Sequence, residues 1–284
     1  MKDEKADKIK IAVIVTTAIL VLISMLPAMV SAQGDVKINE IMYNPSTEQG
    51  SDANMEWIEL YNNDTEAINI SAWSIDDNQI SEIVMEPGDY AVLARNKTAF
   101  DAYYGALPCP VIDVTLVLKN DPGDTIVLCN ITGAEVDNVT YNASRGANGN
   151  GKTLERTATG TWAESIVDGG TPCKLKTFLN ASDNNTTINA TTGEFLVITF
   201  ETNNPGSTGY WWKVAELDEQ VLRQVGDVVF VPDYVPEPGF VGGPPGKQIA
   251  TFEVVGAGNA TINMVYRSPG GTVEDTFTLN VTAS

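Results

Sequence analysis

Three observations predict an all-β protein built as two β-sandwiches joined by a polar linker. Short runs of alternating apolar and polar residues recur along most of the 284-residue chain. Turn-forming Gly, Pro, Asn and Asp separate them at intervals of roughly eight to twelve residues, the spacing of sandwich strands. Helical periodicity is confined to one short stretch, Thr98–Tyr104.

In chain order, the first segment reads as a secretory signal peptide over residues 1–32. Lys8 and Lys10 precede an apolar run from Ile11 to Leu26, and small residues end at Ala32, where cleavage is expected. The run is short for a membrane span, so a retained anchor is the lesser reading. Residues 33–175 then form the first sandwich. Its strands are expected at Val36–Ile41, Glu56–Asn62, Tyr90–Ala94, Thr115–Leu118, Thr125–Cys129 and Glu135–Tyr141. Residues 176–193 are dominated by Asn, Thr, Ser and Ala and read as a linker. The second sandwich is expected over residues 194–284. Phe195–Phe200 is a buried-type strand, and Val221–Val231 supplies a strand pair around Gly226 and Asp227. Ile262, Met264 and Tyr266 share one face of a strand, as do Phe277, Leu279 and Val281 of another.

Composition excludes several functions. Residues 1–32 hold four lysines and three acidic residues, so their removal takes the formal charge from −20 to −21. Such a surface repels nucleic acid. The absence of histidine removes Ser-His-Asp and Cys-His catalysis and His-ligated zinc. No enzyme and no cofactor is expected. Asp76-Asp77-Asn78 and Asn120–Asp124 read as turn acids that could offer oxygens to calcium, without the spacing of a twelve-residue calcium loop. No metal site is assigned. Of Cys109, Cys129 and Cys173, two can pair in an exported chain; Cys109 with Cys129 is preferred, leaving Cys173 spare. Twelve Asn-x-Ser/Thr sequons start at Asn63, Asn69, Asn96, Asn130, Asn138, Asn142, Asn180, Asn184, Asn185, Asn189, Asn259 and Asn280, so a glycoprotein is expected.

Three turn-rich segments in the last ninety or so residues carry the functional signal. The first is Asn204-Pro205-Gly206-Ser207-Thr208-Gly209-Tyr210, followed by Trp211 and Trp212. Its Pro and two Gly permit a tight turn, while Ser207 and Thr208 offer short donors. The second is Gly242-Gly243-Pro244-Pro245-Gly246, rigid and nearly without side chains, after a Pro-rich stretch over Val231–Gly239. The third is Tyr266-Arg267-Ser268-Pro269-Gly270, whose arginine could stack on an aromatic ring or pair with a carboxylate.

In order and chemistry these segments resemble the three inhibitory loops of the chagasin family, inhibitors of papain-like cysteine proteases. That family pairs an Asn-Pro-Thr-Thr-Gly-Tyr-x-Trp loop with a Gly-rich loop and a final Arg-Pro-Trp. Here the first loop is one residue longer, Ser268 separates Arg267 from Pro269, and no Trp follows that proline. The resemblance implies a protease-binding surface made of Asn204, Pro205, Gly206, Ser207, Thr208, Gly209, Tyr210, Gly242, Gly243, Pro244, Gly246, Arg267, Ser268 and Pro269. It implies a structural role for Trp212, which would seat the first loop on the sandwich.

The preceding domain resembles the lamin tail domain, an immunoglobulin-like fold, over about residues 34–175. Ile38-Asn39-Glu40-Ile41, Glu56–Asn62, Lys152–Arg156 and Gly170-Thr171-Pro172 carry that likeness. It implies a fold and no shared chemistry. The two resemblances together imply an exported, non-enzymatic protein, secreted or at the cell surface. Its C-terminal loops would enter a protease cleft reversibly, while its N-terminal domain would associate with the cell envelope. A surface adhesion or structural glycoprotein is the alternative.

Overall fold

The computed structural model describes residues 34–157, 159–234 and 243–284. The expected signal peptide, Gly242 and the Pro-rich stretch from Val235 onward lie outside the described residues. The chain forms two immunoglobulin-like β-sandwiches, each closed around its own apolar core.

In the N-terminal sandwich one sheet has six strands, in the order β12 (Trp162–Glu164), β11 (Leu154–Arg156), β1 (Val36–Met42), β2 (Trp57–Asn62), β7 (Tyr90–Ala94) and β8 (Val111–Asp113). The facing sheet has β10 (Glu135–Tyr141), β9 (Asp124–Cys129), β4 (Ser74–Ile75) and β5 (Asn78–Gln79). A two-stranded pair, β3 (Ile68–Asn69) with β6 (Val84–Met85), flanks them. Ile38, Ile58, Leu60, Leu93, Ile126 and Leu128 fill the space between the sheets, as the period-2 alternation requires. The outer face of the six-stranded sheet carries a second cluster of Met42, Trp57, Val92, Phe100 and Cys173. It is covered by α2 (Lys97–Tyr104), which follows the single turn α1 (Asp52–Met55). Asn96 caps α2 by accepting from the Ala99 N–H, so the expected short helical turn extends to two turns.

Two strand expectations need correction. Thr115–Leu118 joins no strand, although Val114, Leu116 and Leu118 are buried in alternation. The Leu118 N–H donates instead to the Glu56 carboxylate at 3.2 Å, which replaces a ladder partner. The disulfide joins Cys109 to Cys173, with Cα atoms 5.6 Å apart, and Cys129 is the free thiol. Cys129 ends β9 opposite Glu135 and Ser74, in a different sheet from the strands next to Cys109.

The C-terminal sandwich begins earlier than expected. Residues 176–193, read as a linker, supply two strands to it. β13 (Lys176–Asn180) runs parallel to β15 (Phe195–Thr202), and β14 (Thr186–Ala190) runs parallel to β21 (Val273–Ala283). The segment therefore contributes one edge strand to each sheet, turning inward Leu179 and Ala190. Beyond β15, the first sheet continues through β19 (Gly246–Val254). The free side of β19 is shared by β17 (Leu222–Gln224) and β18 (Val229–Pro232). These two were expected to pair with each other; each pairs instead with a different part of β19. The second sheet runs β14, β21, β20 (Gly258–Arg267), β16 (Trp211–Leu217).

At the junction, carboxylates of the first sandwich hold the chain that enters the second. Glu40 accepts from the Thr153 hydroxyl at 2.6 Å and the Thr171 N–H at 2.9 Å. Glu59 accepts from the Cys173 N–H. Lys176, on the first strand of the second sandwich, sits 3.0 Å from Glu155 and 3.7 Å from Glu40. Gly170 is required here. Its φ is +73°, and a Cβ would lie 1.8 Å from the Glu40 carboxylate.

Burial, reinforced by the charge of Glu155, raises the Glu40 carboxyl to about 8, and burial raises Glu59 to about 7. The folded protein therefore holds protons that the unfolded chain releases above the ordinary carboxyl value of 4.5. The contribution of these two groups to stability is greatest below that value and declines as pH rises to about 8. Thermal unfolding followed across this range should show the decline, and Glu40→Gln should flatten it. Loss of the Cys109–Cys173 bond opens a loop of sequence separation 64. Cys173→Ala should lower unfolding free energy by about 4 kcal/mol, read as a shift in denaturant midpoint.

Candidate functional site

The three turn-rich segments lie at the end of the C-terminal sandwich remote from the junction. β15 starts beside Lys176 and runs away from it, delivering the first loop after Thr202. β19 begins at the second loop and pairs there with the end of β15, Gly246 opposite Thr202. β20 ends at Arg267 opposite Trp211, which places the third loop beside the first.

The first loop is a capped helical turn, not a simple β-turn. α3 (Pro205–Thr208) starts at Asn204, whose side-chain oxygen accepts from the Gly206 N–H at 2.8 Å. Pro205 occupies the first helical position, where its missing N–H costs nothing. The Ser207 and Thr208 N–H groups donate to the Asn204 carbonyl, Gly209 to Pro205, and Tyr210 to the Thr208 hydroxyl. Every N–H from Gly206 to Tyr210 is thus bonded inside the loop. The Ser207 and Thr208 hydroxyls, expected as outward donors, also turn inward to the Asn204 carbonyl, at 2.9 and 3.1 Å. Gly206 and Ser207 are left exposed at the tip.

Close approaches at two glycines bring the loops together. Gly209 closes α3 with φ +74°, and a Cβ there would lie 2.6 Å from the Pro269 ring of the third loop. At Gly243 a Cβ would lie 2.5 Å from the Asn204 amide. The first loop therefore touches both of the others. In the second loop Pro244 and Gly246 are buried, while Pro245 is exposed and accepts from the Asp233 N–H at 3.0 Å. In the third, Arg267 donates to the Gly271 carbonyl at 2.9 Å and so braces its own hairpin. Ser268 closes that hairpin through the N–H groups of Gly271 and Thr272. Pro269 is exposed at its tip.

Beneath the loops runs a chain of aromatic rings. Tyr210 lies 5.5 Å from Tyr266, which lies 5.3 Å from Trp212; Trp212 stacks on Phe200 at 4.0 Å. Trp212 is buried and belongs to the sandwich core. Burial raises the Tyr266 hydroxyl above the ordinary tyrosine value.

Sequence reasoning missed Gln248. This residue of β19 is fully buried. Its side-chain oxygen accepts from the Trp212 N–H at 2.8 Å, and its amide donates to the Tyr210 carbonyl at 3.1 Å and the Thr202 hydroxyl at 3.2 Å. One side chain thereby fixes both ends of the first loop. A signal existed: Gln248 occupies an inward position two residues before Ala250 and four before Phe252, where a polar residue calls for partners.

The expected turn acids are taken up by the fold, through the backbone or through a lysine. Asp76 accepts from the Val127 N–H at 2.8 Å, and Asp124 pairs with Lys119 at 2.9 Å. Among the described residues no group of three or more acidic or Cys residues is placed to hold a metal ion.

Comparison with known proteins agrees with both halves of this architecture. Residues 29–143 match the family model of the Lamin Tail Domain, and residues 189–281 match that of the Chagasin family peptidase inhibitor I42. The chain thus joins a lamin tail domain to a chagasin-family domain. Similar solved structures include Amebosin, at 32% identity over 39% of this chain and 98% of that one, with a TM-score of 0.32. The cysteine protease inhibitor EhICP2 from Entamoeba histolytica has 16% identity over 40% of this chain and 99% of its own, with a TM-score of 0.31. PbICP-C, solved in complex with falcipain-2, has 17% identity over 39% and 98%, with a TM-score of 0.24. No curated protein matches significantly.

Replacing Gln248 with Leu would leave the buried Trp212 N–H without a partner and take one from the Tyr210 carbonyl, a cost of about 1–3 kcal/mol. Hydrogen exchange should accelerate at the Trp212 amide, while amides of β1 and β2 keep their protection.

Proposed function

We propose that the C-terminal domain reversibly inhibits papain-like cysteine proteases by inserting its three loops into the active-site cleft. The observation that carries this reading is the contact of the first loop with both others, at Gly243 and Pro269, in a domain matched by the chagasin family model. A protease cleaves a peptide drawn out in extended form. A helical turn whose N–H groups are all bonded internally does not offer itself in that form, so it can occupy the cleft without being cut. Because the first and third loops hold their own shapes through internal hydrogen bonds, little ordering of them is needed on binding. Gly206 and Ser207 meet the region of the catalytic thiol, while the loops around Gly243 and Pro269 rest on the cleft walls. An interface of roughly 1,600 Å² would suffice for stable association.

The chain performs no catalysis in this reading. It is exported, with residues 1–32 removed as a signal peptide, and works outside the cell or at its surface. The mature N-terminus should then be Gln33, as Edman or mass analysis of the purified protein would read it.

Inhibition of papain and of a cathepsin-type protease by the mature chain tests the proposal. Competitive inhibition between nanomolar and low-micromolar concentrations is expected. The double variant Thr208→Ala/Arg267→Ala removes supports of two loops and should cost about 2 kcal/mol, roughly thirtyfold in the inhibition constant. A folded wild-type protein that leaves both proteases fully active would overturn the reading, and undiminished inhibition by the double variant would overturn the loop assignment.

A further inference from the structure

The sequons divide into two kinds once their side chains are placed. At Asn69, Asn130, Asn142 and Asn180 the side-chain oxygen accepts from the N–H two residues on, at 2.9, 2.9, 3.0 and 2.9 Å. There Asn followed by Ser or Thr makes a local turn, so the fold itself accounts for the pattern. Asn96 caps α2, and Asn184 bonds to the backbone of Thr276 and Thr278. Asn63, Asn138 and Asn280 bond to Asp35, to Glu135, and to Thr261 and Thr186. Asn185 is exposed and makes no side-chain hydrogen bond among the described residues, but it sits at φ +61°, a left-handed turn position that Asn tolerates.

Asn189 and Asn259 are different. Both lie within strands, where Asn is disfavoured, and both are exposed. Neither side chain makes a hydrogen bond among the described residues. The register sets them in one row across three strands, each opposite Thr282 of β21. Two strand spacings separate them, about 10 Å. Neighbouring Asn263, which starts no sequon, bonds on both sides, to Glu216 and Thr278. The fold thus explains Asn263 and leaves Asn189 and Asn259 unexplained, each followed by a Thr at the position that completes the acceptor pattern.

We infer that Asn189 and Asn259 are a paired N-glycosylation site on the outer face of the β14–β21–β20 sheet. In the reaction, the Asn Nδ2 attacks the anomeric carbon of a sugar activated as a phosphate or pyrophosphate ester. A C–N bond forms, the sugar–oxygen bond to phosphate breaks, the phosphate leaves with the electron pair, and the amide loses a proton. Asn259 stands near the start of β20 and Arg267 ends it, eight residues on and about 27 Å away. No sequon begins between Asn189 and Asn259, the interval that contains the first two loops. The sugars therefore clothe the junction end of the sheet and leave the loop end bare.

Trypsin isolates one site cleanly, because the peptide 248–267 contains Asn259 as its only sequon, while 177–213 contains Asn189. Intact-glycopeptide mass spectrometry of the full-length protein, purified from the cells that make it, should find sugar mass on both residues. Thr261→Val, which keeps the strand-favouring branched side chain, should return 248–267 to its unmodified mass. The same variant should inhibit papain as the wild type does, so failure of inhibition bears on the loops and not on this site. Recovery of either Asn only in unmodified form overturns the inference. So does sugar mass on 248–267 that survives Thr261→Val.

Discussion

The buried side chain of Gln248 is the constraint on which the loop surface depends. It projects from β19 in one sheet and bonds to the backbone of β16 and the end of the first loop in the other. Apolar packing holds two sheets together without fixing how the chain leaves them. A buried amide with three satisfied partners does fix it, because any displacement strands a polar group away from water. From that anchor the chain of rings from Tyr210 to Phe200 extends into the core, and α3 stands on top. Gln248 thus ties the first loop to β19, on which the second loop opens, while the pairing of β16 with β20 sets the third loop beside the first.

Within the loops, side chains and backbone are occupied mostly with each other. Arg267 shows this best. At sequence level it reads as a free cation at a loop tip, but its guanidinium holds the Gly271 carbonyl of its own hairpin. The third loop carries no aromatic after Pro269, and its arginine is engaged by the hairpin itself. The loop surface is therefore defined mainly by its backbone shape, because Ser207, Thr208 and Arg267 are turned back onto their own loops.

Much of the fold was legible because strand alternation is a strong signal where one face is buried. Phe277, Leu279 and Val281 in β21 are an example, with Thr276, Thr278 and Asn280 on the other face. The signal weakened where burial is small or pairing is absent. Residues 176–193 looked like a linker because an edge strand needs few apolar contacts; Leu179 and Ala190 sufficed. Thr115–Leu118 showed the reverse, with buried alternation and no strand beside it. Cysteine pairing was illegible because proximity in sequence, from Cys109 to Cys129, does not report which sheet each residue joins. In the loops, the sequence identified the turn residues, while contacts between loops depend on strand register that no local motif encodes.

The absence of a loose tether between the sandwiches has a mechanical consequence. β13 leaves the carboxylates that grip Lys176 and enters its sheet at once, parallel to β15 and bonded along five residue pairs. A pull on the loops against a held N-terminal domain would load these bonds side by side in shear, all sharing the force, instead of opening them one after another like a zipper. The loop surface is carried on a stiff arm, and its orientation is inherited from the domain behind it.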